Sequence, residues 1–424
     1  MSRSPLTVLV LATTYPRWDD DEMPSFVAEL AAELVTQHLD VIVLAPHAPG
    51  AARREVRSGV QVYRFPYFVP FSYQRVAYEG GILPSVTKSL LSAIQLPLFV
   101  LSLLAHTLWL VSREDVDVIN SHWALPCGLV GAIAAATMRS RHVMTLHAGG
   151  VLGLHQLPLR RRIARFLYDH SDRIVPVSTH IQGKFVELLP ATVVDDDKFT
   201  VQPMGAHVSD FSDVDREAAR ERLGVPAETV CGLFVGRLAE KKGVDQLLLA
   251  VDRLPDFEVP LTVRIVGTGK LEHDLTALAR EHGLTDRVGF EGWVSAEDLR
   301  AWYAAADFVV VPSVETDSGD TEGMPTVISE AFAAGTPVVA TGVGGIPDVV
   351  EDGHSGLVVP QRDPDRLAAA ISRIVEDQTL RRRLAANAAD RAADLDWSEC
   401  GETYVGLLRA ATDTCHTRRP QEAV

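Results

Sequence analysis

Three groups of residues could do chemistry by their types and spacing. The first is Gly236-Arg237-Leu238-Ala239-Glu240-Lys241-Lys242-Gly243, directly after the apolar run Cys231–Val235. Gly236 lets backbone approach a ligand. Arg237 and Lys242 put two cations at the end of an expected strand, where fixed positive charge suits a diphosphate leaving group. The second is Glu322-Gly323-Met324-Pro325-Thr326-Val327-Ile328-Ser329-Glu330. Pro325 reads as the first residue of a helix, where its missing N–H costs nothing. That helix N-terminus offers free N–H groups to a phosphate. Glu322 precedes the helix and can hold a sugar hydroxyl, and Glu330 lies about one turn inside it. The third is a pair of histidines, His122 and His147, each closing an expected strand. Such histidines can exchange protons, although one at a strand end is more often structural.

Other motifs point to plainer roles. Val266-Gly267-Thr268-Gly269 and Gly342-Val343-Gly344-Gly345-Ile346-Pro347 begin like dinucleotide fingerprints. Both fail at the sixth position, and neither opens the first βαβ unit, so dinucleotide binding is excluded. The acidic runs Asp19–Glu22 and Asp195–Asp197 read as solvated loops, not metal sites. Arg160, Arg161, Arg162 and Arg165 alternate with Leu159, Ile163 and Phe166. They read as a solvated basic helix face, with contact to anionic lipid as a second use.

The elements that must position these groups alternate strand and helix along the chain. Expected strands in the first half are 8–12, 41–45, 60–64, 116–122, 142–147 and 173–177, with helices at 26–37, 84–111, 128–138 and 159–169. The second half restarts with strands 231–235, 261–266, 287–290, 307–312 and 337–340. Its helices are 244–253, 271–282, 296–305 and 326–334. Alternation of this kind implies parallel sheets covered by helices, hence two Rossmann-like doubly wound α/β domains, with ligands at the carboxyl ends of strands. The turn at Gln202-Pro203-Met204-Gly205 and the polar stretch after it place the boundary near 205/206. The expected domains are 1–205 and 206–396. The helical stretch 397–412 follows a second domain that is already complete, and 413–424 reads as a disordered tail.

The chain has 424 residues, enough for two such domains, and 47% of them are apolar. A net charge of −16 argues against nucleic acid as a partner. Cys127, Cys231, Cys400 and Cys415 form neither a disulfide framework nor a zinc motif, and the apolar start from Leu6 to Ala12 reads as a strand rather than a signal peptide. Both features fit a cytoplasmic protein. Leu90 to Val111 carries no charged residue and is long enough to cross a bilayer. Expected strands of one sheet flank it, so it reads as a buried domain helix, with contact to a membrane or a lipid acceptor as the second reading.

Together GRLAEKKGVDQLL, EGMPTVISEAFAAGTPVVATGVGGIPDVV and EDGHSGLVV resemble family 4 of the retaining glycosyltransferases; SHWALPCGLVG and MTLHAGG resemble its first-domain segments. The resemblance spans nearly the whole chain and includes a Glu-x7-Glu spacing. It implies the GT-B fold, two domains facing across a cleft, and transfer of a hexose-type sugar from a nucleotide diphosphate sugar with retained configuration and no metal or other cofactor. Retention is explained there by front-face attack, the leaving phosphate accepting the acceptor's proton.

On this resemblance Arg237 and Lys242 bind the diphosphate, Glu322 a sugar hydroxyl and Glu330 the ribose. Gly236, Gly267 and the backbone of Gly323, Met324, Pro325, Thr326 and Val327 line the donor, and the base packs near Trp293 and Val294. His122 stands beside the reacting centre, with His147 and Arg17 on the acceptor side. The terminal helix near Trp397 returns to complete the first domain. The family's Gly-Gly loop after the first strand is replaced by Tyr15–Ser25, which is read as shaping the acceptor site. The implied setting is cell-envelope or exopolysaccharide synthesis with an unidentified acceptor; the apolar helix and the arginine cluster add, as a second reading, peripheral contact with the inner face of the membrane and a lipid-linked acceptor. An epimerase or hydrolase on the same fold, or a non-catalytic sugar-nucleotide scaffold, are the alternatives.

Overall fold

The computed structural model describes residues 5–413 except 20, 22, 24, 79–81, 83–84, 87–88, 139 and 213. Of the expected tail 413–424, Asp413 still belongs to the last helix, while residues 414–424 and the expected helix start at Pro84 lie outside the described residues. The chain divides into two units, Met1–Pro203 with Ser398–Val424, and Met204–Trp397.

The first unit holds strands β1 (Thr7–Leu11), β2 (Asp40–Pro46), β3 (Arg54–Arg57), β4 (Val60–Phe65), β5 (Val118–His122), β6 (Arg141–Leu146) and β7 (Arg173–Pro176). They form one sheet in the order β3-β4-β2-β1-β5-β6-β7. Every pairing is parallel except β3 with β4, where Val56 faces Gln61. The sheet is otherwise parallel as expected, and this antiparallel edge strand was not among the expected elements. Arg54-Glu55-Val56-Arg57 is too polar to read as a buried strand, and its pairing comes from the turn at Ser58-Gly59, both at positive φ.

Helices α1 (Phe26–Thr36), α2 (Leu90–Arg113), α3 (Leu129–Met138), α4 (Ala148–His155), α5 (Arg160–Asp169) and α6 (Thr179–Val186) cover the sheet. The short α4 and α6 were not legible in the sequence. Strands β2 and β5 lie in one sheet before and after α2, so α2 is a crossover connection. It is only half buried. Phe99, Leu103, Thr107 and Leu110 pack inward, while Leu90, Ile94, Leu98, Leu101 and Trp109 are exposed. The expected buried domain helix is thus a domain helix buried along one face only: leucines occupy both faces, and only one face has a sheet to pack on.

The second unit opens with α7 (Ser209–Ser212) and α8 (Arg216–Leu223). Its strands are β8 (Val230–Val235), β9 (Leu261–Val266), β10 (Val288–Gly292), β11 (Phe308–Val311), β12 (Val338–Thr341) and β13 (Gly356–Val359), all parallel in the order β10-β9-β8-β11-β12-β13. Helices α9 (Val244–Asp252), α10 (Glu272–Glu281), α11 (Ala296–Ala305), α12 (Thr326–Ala333), α13 (Pro364–Glu376) and α14 (Gln378–Ala392) sandwich it. Neighbouring β8 residues feed opposite cores: Phe234 packs with Leu247 and Ile371, Leu233 with Ile328 and Phe332. A strand buried on both faces reads as a continuous apolar run.

The last helix, α15 (Trp397–Asp413), belongs from Ser398 onward to the first unit. There the Gln37 amide donates to the Ser398 carbonyl at 2.9 Å, and the Tyr404 and Thr145 hydroxyls meet at 3.2 Å.

Candidate functional site

In the second unit the expected donor residues gather on the loops at the carboxyl ends of β8, β9, β11 and β12. Two glycines let these loops touch. A Cβ on Gly267 would stand 2.1 Å from the Gly236 carbonyl oxygen, and one on Gly344 would stand 2.0 Å from that of Glu322. Both have positive φ, 129° and 57°. The Gly-rich sequences that failed as dinucleotide fingerprints thus serve backbone approach. Gly344 is a residue that motif reading passed over.

The central contact is ionic. Lys242 Nζ lies 3.1 Å from Glu322 Oε1, with both side chains largely buried. Burial alone would raise the Glu322 carboxyl. Lys242, Lys241 and Arg237 outweigh that effect and hold it below the usual carboxylate range. Oε1 has no well-aligned donor, so it keeps acceptor capacity. Ser313 Oγ and Thr321 Oγ1, on the same loops, are buried without partners among the described residues. Orphaned polar groups of this kind call for a ligand or water. Arg237 is exposed, and its guanidinium has no ion pair or hydrogen bond to another described residue.

Helix α12 starts at Thr326, as the expected span 326–334 has it; Pro325 is its N-cap (φ −73°, ψ 118°) rather than its first residue. No side chain caps this end, which leaves the first N–H groups, at Thr326 and Val327, open to an anion. Gly323 and Met324 are half-buried ahead of it. Glu330 sits inside the helix. The buried Tyr303 hydroxyl donates to Glu330 Oε2 at 2.5 Å. Burial, then Glu330, drives the Tyr303 phenol well above its ordinary value, so it stays a donor. Sequence reading missed Tyr303, since it lies on α11 and nothing local ties it to Glu330. Trp293 and Val294 follow β10; the Trp293 ring is 62% exposed and Val294 half-buried.

In the first unit the two histidines come together. Strands β5 and β6 are neighbours, and side chains alternate along them, so Asn120, His122, Thr145 and His147 share one face. His122 Nδ1 meets His147 Nε2 at 3.0 Å, and His122 Nε2 meets Asn120 Oδ1 at 3.2 Å. Burial depresses His122 to about 3 and His147 well below its ordinary value, so both are neutral. The next residue, Trp123, holds φ 69° and ψ 135°, a combination rarely adopted by a side-chain-bearing residue. Its N–H donates to the Thr145 carbonyl at 3.0 Å, and its carbonyl accepts from Gly128 at 2.9 Å. Gly150 of α4 sits against this turn, where a Cβ would come within 2.7 Å of the Ala124 nitrogen.

Arg17 lies apart from the histidines in its interactions. It holds Asp21 through two side-chain hydrogen bonds, at 2.8 and 2.7 Å, and its guanidinium rests on the rings of Trp18 and Tyr78. Of the described residues in this acidic run, Asp19 is solvated as expected, with its side chain 96% exposed, whereas Asp21 is 1% exposed and held by Arg17.

The comparisons with known proteins agree with this layout. Residues 23–205 match the family described as "Glycosyl transferase 4-like domain", and residues 215–391 match "Glycosyl transferases group 1". A D-inositol 3-phosphate glycosyltransferase of Nocardioides is 36% identical over 317 residues, covering 70% of this chain and 67% of the relative. A GDP-mannose-dependent alpha-(1-6)-phosphatidylinositol monomannoside mannosyltransferase of Mycobacterium tuberculosis is 32% identical over 313 residues, 71% and 77% of the two chains. Among solved structures, Anabaena Alr3699/HepE in complex with UDP superposes with a TM-score of 0.71 at 20% identity, covering 96% of this chain and all of that one. With two parallel α/β units and motifs matched along both, the chain belongs to the family 4 glycosyltransferases and has the GT-B fold.

Proposed function

We propose that this glycosyltransferase moves a hexose-type sugar from a nucleoside diphosphate onto a polyhydroxylated acceptor, with retained anomeric configuration and no divalent metal. The observation that carries the reading is the buried Lys242–Glu322 pair, with Arg237 exposed and paired with no other described residue. Arg237, Lys242 and the uncapped start of α12 stabilise charge developing on the departing diphosphate, the work a metal does elsewhere. Glu322 accepts a hydroxyl of the transferred sugar, and Glu330, oriented by Tyr303, takes the ribose hydroxyls. Gly236, Gly267, Gly323, Met324, Pro325, Thr326 and Val327 line the donor, with the base near Trp293 and Val294. His122 stands beside the reacting centre, and His147 and Arg17 belong to the acceptor side. The acceptor hydroxyl attacks the anomeric carbon on the face the diphosphate leaves, and a diphosphate oxygen takes its proton.

Thermal stabilisation against UDP, GDP, ADP and their sugars tests the donor site. A ligand bound only by the folded state raises the melting point with its affinity. A shift with one nucleotide, kept in EDTA and lost in Lys242→Ala, is expected. No shift with any nucleotide overturns the reading. Incubation without acceptor separates transfer from epimerisation, since an epimerase would convert the donor alone.

We also propose peripheral attachment to the inner face of a membrane and a lipid-linked acceptor, in cell-envelope or exopolysaccharide synthesis. The uncovered leucine stripe of α2 supports this. Helix α2 packs on α3 and α3 on α5, whose Arg160, Arg161 and Arg162 are exposed after the exposed Leu157 and Leu159. Apolar and cationic surface in one helical layer suits an anionic leaflet. The mycobacterial relative is named for a phosphatidylinositol-type acceptor.

A further inference from the structure

Hydrogen-bond donors and acceptors around the buried histidines can be assigned by elimination. Asn120 places its amide nitrogen 3.2 Å from the Val143 carbonyl oxygen and 3.2 Å from Thr145 Oγ1. A carbonyl oxygen can only accept, so that end of Asn120 is the NH₂ group. The other end, Oδ1, therefore faces His122 Nε2 at 3.2 Å and accepts a hydrogen bond from it, so that nitrogen carries the hydrogen. His122 is neutral, so with hydrogen on Nε2 its Nδ1 carries a lone pair. That lone pair accepts from His147 Nε2–H at 3.0 Å. His147 is neutral as well, which leaves its Nδ1 as a bare acceptor.

The two rings then differ in what they can still do. Both nitrogens of His122 are used, and the residue is fully buried. His147 is 7% exposed, and its Nδ1 has no partner among the described residues. It is the N-cap residue of α4, yet its side chain does not cap that helix. The rings of Trp123 and Phe26 flank it at 4.8 and 5.1 Å, the kind of wall that packs on a sugar face. Beyond it Gly149 faces open space. The chain of contacts continues the other way, from Asn120 through Thr145 to the hydroxyl of Tyr404 on the returning helix α15.

We infer that His147 Nδ1 is the hydrogen-bond acceptor that receives a hydroxyl of the sugar acceptor, and that Asn120 is the positioning residue which, through His122, turns that nitrogen's lone pair outward. The inference rests on the transferase reading above and assigns His147 a contact and His122 a supporting place. No proton is transferred to His147. The reacting hydroxyl gives its proton to the leaving diphosphate, so the hydroxyl held by Nδ1 is a second one on the same acceptor. The site thereby selects polyols over simple alcohols.

The test has two arms. In the full-length protein with ¹⁵N-labelled histidine, two-bond nitrogen–proton spectra report which ring nitrogen carries hydrogen. His122 and His147 should both show hydrogen on Nε2, and Asn120→Ser should lose that pattern at both. Hydrogen on Nδ1 of either ring in the wild type overturns the assignment. In the second arm, release of nucleoside diphosphate is followed with the donor found by thermal shift and a panel of free polyols (glycerol, myo-inositol, glucose, mannose). Turnover by the wild type with any of these secures transfer by itself. His147→Ala should then raise KM for the polyol roughly five- to tenfold, the size of one lost hydrogen bond, with KM for the donor within about twofold. His147→Asn, whose amide oxygen can stand in for Nδ1, should restore part of it. Unchanged polyol KM in His147→Ala, with wild-type turnover intact, overturns the inference and leaves the transferase reading standing. No turnover with any nucleotide sugar and no thermal shift would sink the transferase reading instead.

Discussion

The Lys242 ammonium and the Glu322 carboxylate stand 3.1 Å apart across 80 residues of sequence, on the loops after β8 and β11. Each neutralises the other where both side chains are largely buried. In the proposed reaction the donor replaces this pair: its diphosphate meets Lys242 and its sugar meets Glu322.

Lys242→Met should therefore cost more than a binding contact. Removing a preorganised charge that meets developing negative charge lowers kcat by about 10²- to 10³-fold. It also strands Glu322 as a buried carboxylate, and the double variant Lys242→Met/Glu322→Gln should melt higher than Lys242→Met alone. Rates come from nucleoside diphosphate release and stability from denaturant melts. Additive losses of stability in the double variant would show that the two charges are not coupled.

Tyr303→Phe removes the donor that orients Glu330 and nothing else. Loss of one hydrogen bond to a charged group costs about 1.5–3 kcal/mol. The donor KM should rise roughly tenfold or more, with kcat nearly unchanged, because the ribose lies away from the reacting carbon. An unchanged donor KM would remove Tyr303 from the site.

Gly344→Ala should damage the donor site through backbone alone. The added Cβ meets the Glu322 carbonyl oxygen at 2.0 Å, at a φ of 57° that costs an L-residue about 1 kcal/mol before any clash. A melting point lowered by several degrees is expected, together with weakened nucleotide binding. Gly149→Ala, which meets nothing within 4 Å, is the matched control for stability.

Stability should fall on acidification above the range of ordinary carboxylates. Burial lowers His122 to about 3 and His142 to about 4, and it takes His147 well below 6.5. The unfolded chain takes up protons on all three below about pH 6.5, and the folded chain does not. Each histidine thus contributes stability that is complete above pH 6.5. That stability is lost by about 1.4 kcal/mol per pH unit as pH falls toward the folded value. Chemical denaturation at a series of pH values reads the slope. His142→Gln should make it shallower by about one proton, and a flat profile between pH 6.5 and 4 would contradict burial of the neutral rings.

Membrane attachment is tested by sedimentation with vesicles. Ile94→Glu, Leu98→Glu and Leu101→Glu together should abolish binding to phosphatidylglycerol vesicles at little cost in melting temperature, since the side chains replaced are exposed. Arg160→Gln, Arg161→Gln and Arg162→Gln together should weaken it by about 1 kcal/mol per charge and remove its salt sensitivity. Equal binding by wild type and the leucine-stripe variant would show that α2 is not the docking face.

Much of the architecture was legible in the chain itself. Short apolar runs ending in Gly, Pro or Ser and followed by helical periodicity located eleven of the thirteen strands and the restart of the pattern near residue 205. Local rules suffice there because a parallel strand buried on both faces is a continuous apolar word, and its carboxyl end is where ligands bind. The positions of Arg237, Lys242, Glu322, His122 and His147 at strand ends follow from that alone. What the alternation did not carry is which of these groups meet. Lys242 pairs with Glu322, Tyr303 with Glu330, and His122 with His147 only because β8 lies beside β11, α11 near α12, and β5 beside β6. The polar edge strand β3 and the exposed side of α2 depended in the same way on what lies next to them. A leucine facing a sheet and a leucine facing outward are the same letter, and only the packed chain decides between them.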